Sequence, residues 1–109
     1  MLNAIHAAQM QHTFIHNGWE VQTTGNPIAH AILRGAIDSD GRSHPNYHYE
    51  NLSALAKAYQ EMALENPAIV VDTNHANSMK RYYEQPRIAR EILMSRGGAK
   101  TAENPPTCI

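Results

Sequence analysis

At 109 residues, 42% hydrophobic and 17% charged with a formal net charge of −1, the chain is the size of one ordinary domain and lacks the charge excess of a disordered segment. Its Lys and Arg residues are scattered, which excludes the basic footprint of a nucleic-acid binder, and no run of about eighteen apolar residues offers a membrane span. The single cysteine, Cys108, rules out an internal disulfide or a cysteine-based zinc finger, and MLNAIHAAQM lacks the regions of a secretory signal, so a reducing, cytoplasmic compartment is expected.

Leu2, Ile5 and Ala8 share one face at helical spacing, which predicts a short helix over residues 2–9. In HTFIHNGWEVQTTG, residues 12–25, Asn17-Gly18 separates two β-prone runs, and Trp19, Val21 and Thr23 alternate with polar residues. Both residues of Asn-Gly tolerate positive φ, as a type I′ turn requires, so a β-hairpin is predicted here. Gly25-Asn26-Pro27 punctuates the chain, and AHAILR, residues 29–34, reads as a short apolar strand ending at Gly35. Residues 36–48 are rich in Asp, Ser, Gly, Pro and Asn and read as a loop. From Asn51 a helix is predicted. Leu52, Leu55, Ala56, Tyr59, Met62 and Ala63 make its apolar face, and Asn66-Pro67 ends it.

Residues 68–73 form the next predicted strand. Its apolar residues do not alternate, which is the pattern of a parallel strand covered on both faces. Ser78 can cap a second helix carrying Tyr82, Tyr83, Ile88, Ile92 and Leu93. Pro86 falls inside that pattern, and an interior proline costs about 3 kcal/mol. Either a kink or a short turn with the helix restarting at Pro86 is therefore predicted. Gly97-Gly98 stops the helix, and residues 97–109 read as a loose polar tail. Strand, helix, strand, helix is a βαβ arrangement, and barrels of such units carry their functional groups at the C-terminal strand ends, where Arg34 and His75 stand.

Taken singly, these residues have plainer readings. An arginine after an apolar strand is more often solvated or ion-paired than phosphate-bound, and a lone histidine is more often hydrogen-bonded within its own loop than a ligand. Asp72 reads as a strand-end acceptor for backbone or for His75, Asn77 and Ser78 as helix caps, and Asn26 as a turn residue before proline. His6, His12, His16, His44 and His48 lack ligand spacing and read as surface residues. The Met and Tyr stripe of the two helices reads as core packing.

Three segments in this order, TTGNPIAHAILRG at 23–35, PNY at 45–47 and VVDTNHANSMK at 70–80, resemble the class I 3-deoxy-D-arabino-heptulosonate 7-phosphate (DAHP) synthases, and the resemblance covers residues 1–96. It implies a (β/α)8 barrel that condenses phosphoenolpyruvate with erythrose 4-phosphate, opens the shikimate pathway to the aromatic amino acids, and uses one divalent metal: Mn, Fe, Co or Zn. On it, Arg34 matches the arginine that helps hold the phosphate of phosphoenolpyruvate, and His75 matches one of four metal ligands. The chemistry agrees, because a guanidinium presents a charged donor fork to phosphate oxygens and a neutral imidazole suits borderline metals.

A full barrel takes about 250 residues, so the fold expected is α/β, a partial (β/α)8 TIM barrel of two parallel βα units preceded by a β-hairpin. The family's cysteine, glutamate and aspartate ligands and its Lys-Pro-Arg-Thr segment have no counterpart here, and Cys108 lies outside any such motif. Ala36 stands where the family often has a second glycine. The 109-residue chain is expected to give no turnover alone and to be a homo-oligomer or self-associate over its uncovered sheet face. The competing expectation is a noncatalytic remnant serving association or weak anion binding.

Overall fold

The computed structural model describes residues 1–98 and 107–108. Helix α1 (Leu2–Gln9) leads into strands β1 (Thr13–His16) and β2 (Trp19–Gln22), which pair antiparallel with His16 opposite Trp19. Asn17 and Gly18 take φ of 49° and 80°, the left-handed pair that the predicted turn needs. Gln9 ties α1 to the chain beyond: its Nε2 donates to Ala29 O and Glu65 O, and its Oε1 accepts from the Glu65 N–H. Asn26 accepts from the Ile28 N–H, as a turn residue before proline does.

Strand β3 (Ala31–Leu33) follows. The segment expected as a loop, 36–48, contains a short antiparallel ladder instead, β4 (Ala36–Ile37) against β5 (Ser43–His44). Asp38 closes its turn. One carboxylate oxygen accepts from the Asp40 and Arg42 N–H groups at 3.0 and 2.8 Å, and the other meets His44 Nε2 at 2.8 Å. Turn-forming residues here build a hairpin, and composition alone does not separate the two.

Helix α2 (Tyr49–Glu61) starts ahead of Asn51 and ends before Asn66-Pro67. The end is a Schellman turn: Ala63 takes φ 49°, its N–H reaches Gln60 O at 3.0 Å, and the Leu64 N–H reaches Tyr59 O at 3.4 Å. Ala63 is therefore exposed at the turn rather than on the apolar face, and Leu64 is buried in its place. Strand β6 (Ile69–Val71) then lies parallel to β3, with Ala31 opposite Ile69 and Leu33 opposite Val71.

The chain next forms the single turn α3 (His75–Ser78), a 3-10 turn at Tyr82–Glu84, and α4 (Gln85–Gly98). Of the two outcomes at Pro86, the short turn and restart is the one found. Pro86 sits in the first turn of α4, where its missing N–H has no partner to lose. The helix continues through Gly97 and Gly98 instead of stopping there. Strand β7 (Thr107–Cys108) pairs parallel with β6, giving the order β3–β6–β7. The loose tail expected over 97–109 is thus helical at its start and strand at 107–108, and its other residues lie outside those described.

The core lies between one face of the sheet and the helices: Ala31, Leu33, Ile69 and Val71 meet Ile5, Tyr59, Leu64, Ile88 and Ile92. Tyr59 fixes the entry ends of both strands, its hydroxyl accepting from the Ala31 N–H at 2.8 Å and donating to Ala68 O at 3.5 Å. Burial raises the pKa of that phenol. The other face of the sheet is open, with Ile32 53% exposed and Val70 only half-buried, so the strand at 69–71, apolar enough for cover on both faces, has it on one. The second face needs strands or helices that the described residues do not supply.

The core stripe holds on α2, where Tyr59 is buried and Met62 packs against the core, but not on the second helical segment, where Tyr82 is 81% exposed and Tyr83, Leu93 and Met94 are exposed as well. The 3-10 turn breaks the helical phase ahead of Gln85, and Leu93 lies about 100° around α4 from buried Ile92. Buried Tyr47 is clamped to α4 through Arg87, which donates to Tyr47 Oη at 3.1 Å, Glu84 at 2.7 Å and Glu91 at 3.2 Å. Glu84 first, then Tyr47, push the pKa of that guanidinium further up. Among the described residues no helix is long and apolar enough to cross a membrane.

Candidate functional site

Because β3 and β6 are parallel and in register, Arg34 and Asp72 leave the sheet at the same end. The Asp72 N–H donates to Leu33 O at 2.9 Å, extending the ladder one step. Gly35 then turns the chain at φ 78°, and a Cβ there would stand 2.8 Å from backbone atoms of Ala76 and Asn77. Only glycine lets α3 come down onto the end of β3.

Asp72 uses both oxygens: Oδ1 accepts from the Asn74 N–H and Oδ2 meets His75 Nδ1, each at 2.8 Å. Asp72 is thus an acceptor for backbone and for His75 together. The Asn74 N–H, then His75, and then the field of Arg34 hold the Asp72 carboxyl below its ordinary value. Because a carboxylate only accepts, His75 Nδ1 is the donor in this contact, which fixes the ring's orientation.

His75, Met79 and Lys80 take φ of 51°, 53° and 59°, left-handed backbone that costs non-glycine residues on the order of 1 kcal/mol each. Hydrogen bonds hold the strained turn closed, among them Lys80 N–H to His75 O at 2.9 Å. Arg34, Gly35, Ile37, His75, Met79 and Lys80 line one concavity of about 560 Å³. The Arg34 guanidinium is exposed and makes no hydrogen bond or ion pair among the described residues. An exposed guanidinium, a lysine and an imidazole thus stand around one mouth.

The two residues singled out from the sequence, Arg34 and His75, are therefore brought together. A metal is a different matter. Among the described residues no three His, Cys, Asp or Glu side chains lie close enough to hold one. Asp72 is already engaged by the Asn74 N–H and by His75. The other histidines stand apart. His6, His12, His16 and His44 are exposed as read, and His48 is half-buried, its ring tilted 41° to that of Tyr47 with centroids 4.4 Å apart, and 2.8 Å from Glu91.

Asn77 and Ser78 are not caps. Asn77 is 5% exposed, its Oδ1 accepting from the Asn46 N–H at 2.9 Å and its Nδ2 donating to Leu33 O at 3.1 Å and Asp72 O at 2.7 Å. Ser78 is buried, its Oγ donating to Asn74 Oδ1 at 3.4 Å. Asn46 and Lys80 also belong to the site and carry no sequence signal beyond their place inside the PNY and VVDTNHANSMK segments.

The chain matches the family described as the DAHP synthetase I family over residues 1–95. It is similar to a phospho-2-dehydro-3-deoxyheptonate aldolase, Tyr-sensitive, of Enterobacter agglomerans, at 38% identity over 97 residues, which is 84% of this chain and 42% of that protein. It is also similar to the Tyr-sensitive aldolase of that name from Escherichia coli (strain K12), at 36% identity over 84% of this chain and 25% of the relative. The phospho-2-dehydro-3-deoxyheptonate aldolase of Corynebacterium glutamicum is 34% identical over 93% of this chain and 26% of its own length. The chain thus spans between a quarter and about two-fifths of these relatives.

Proposed function

The chain belongs to the DAHP synthetase I family, and from that premise we propose that it is a segment of a DAHP synthase, the transferase that condenses phosphoenolpyruvate with erythrose 4-phosphate in the first step of aromatic amino-acid biosynthesis. On this reading β3, β6 and β7, with α2 and α4, are successive βα units of a (β/α)8 barrel, whose sites stand at the C-terminal strand ends. One observation carries it: Arg34 and His75 leave adjacent parallel strands at the same end and line one concavity.

Arg34 holds the phosphate of phosphoenolpyruvate through its unpaired donor fork, and Lys80 adds a second positive charge to the same mouth. His75 is one ligand of a divalent metal, Mn, Fe, Co or Zn, in the complete enzyme, and the described chain, with that ligand alone, holds none tightly. The 109-residue chain gives no turnover alone, self-associates over its open sheet face, and works in the cytoplasm.

The test is a titration of phosphoenolpyruvate into the isotopically labelled chain, followed by NMR. Weak, saturable shifts at Arg34 and Gly35 are expected, lost in Arg34→Ala. Shifts centred elsewhere, or unchanged by that substitution, overturn the assignment, and product formed from both substrates by the purified chain overturns the claim of inactivity.

A further inference from the structure

We propose that Asn46 and Asn77 form a brace that sets where Arg34 stands relative to the Asp72–His75 pair, so that both are positioning residues of the site; the proposal deepens, and rests on, the phosphate-binding reading of Arg34. Arg34 is the first residue past β3; Leu33 O ahead of it takes the last ladder bond, from the Asp72 N–H at 2.9 Å, and the next ladder begins at Ala36, so the Arg34 turn is held between them by side chains. The peptide before it is fixed at Leu33 O, which accepts from Asn77 Nδ2 at 3.1 Å. The peptide after it is fixed at the Gly35 N–H, which donates to Asn46 Oδ1 at 2.8 Å. The two asparagines are joined, the Asn46 N–H donating to Asn77 Oδ1 at 2.9 Å. The other Asn77 Nδ2 hydrogen goes to Asp72 O at 2.7 Å, on the residue that orients His75.

One connected set of hydrogen bonds thus runs from both peptides flanking Arg34 to the base of His75. Asn77 is buried with its acceptor and both donor hydrogens in use, a combination that only an amide supplies. Neither asparagine lines the concavity that Arg34 and His75 share. They act on it through the backbone.

The test uses Asn46→Ala and Asn77→Ala in the 109-residue chain, with Ala56→Gly in α2 as a control that lowers stability away from the site. All are measured well below their unfolding temperatures. The readouts are NMR order parameters of the Arg34 and Gly35 amides and the Kd for inorganic phosphate. Both asparagine variants should lose order at those amides while Ile69–Val71 keep theirs, and should bind phosphate about tenfold more weakly, the loss expected from one misplaced charged hydrogen bond. The control should move neither. Unchanged order and Kd, equal changes in the control, or order lost with Kd kept all overturn the proposal, the last by making the brace merely structural. Should Asn77→Ala fail to fold, Asn46→Ala, at a half-exposed position, carries the same test. If the parent chain shows no phosphate binding that Arg34→Ala abolishes, the phosphate reading fails, and the order parameters alone decide the brace.

Discussion

Asp72 has two oxygens and two partners, and that count makes it testable. In Asp72→Asn one oxygen must serve both. If it stays on the Asn74 N–H, the new amide points a donor at His75 Nδ1, and the imidazole moves its proton to Nε2. Nitrogen NMR of the labelled ring should show this change of tautomer in a chain that remains folded; a ring still protonated on Nδ1 would contradict the geometry. Asp72 also ties stability to pH. Its folded pKa lies below the ordinary value of 3.8, so its contribution is complete above that value and is lost as pH falls through the depressed one. Asp38, held down chiefly by His44, acts in the same direction. Urea midpoints should therefore fall below about pH 4, less steeply in Asp72→Asn. At this scale the sequence was readable where a side chain acts on near neighbours, as Asp72 does on His75. Asn77 was misread because its partners Leu33 and Asn46 lie 44 and 31 residues away, and only the parallel pairing brings them together.

The elements were legible where one local rule had no rival. Asn17-Gly18 could only be a tight turn, and Pro86 could only interrupt or begin a helix. The end of α2 was missed because the left-handed position is held by Ala63 rather than glycine, so the eye passes on to Asn66-Pro67. That misfit is itself a prediction: Ala63→Gly should stabilise the chain by about 1 kcal/mol, read as a higher urea midpoint. A midpoint that falls would show the turn gains nothing from a left-handed residue. The β4–β5 ladder was missed because its residues are those of any loop, and what pairs them is the Asp38 carboxylate. In the core, Tyr59→Phe leaves the Ala31 N–H buried without its acceptor. It should cost about 1–3 kcal/mol, measured by the same unfolding curves.

As a whole the molecule is open. Its radius of gyration is 16.8 Å, against about 13 Å for a compact domain of a hundred residues. The exposure is apolar, at Ile32 on the bare sheet face and at Phe14, Ile15 and Trp19 on the hairpin. Sedimentation equilibrium should show a mass that rises with concentration, and Ile32→Lys should lower it; a cooperative monomer at every concentration would count against a self-covering face. An open sheet face was expected because two βα units cannot close a barrel, but which residues stand bare was not legible, since that depends on neighbours outside a short strand's own residues. The sheet itself is minimal, with β3 and β6 sharing only three paired positions. A slip of one residue would swing Ile32 inward and carry Arg34 to the wrong side. Tyr59 latches both strands where they begin, and Asn77 latches both where they finish. Sliding would have to break both latches together, so an alignment too short to defend itself is locked by two side chains that belong to neither strand.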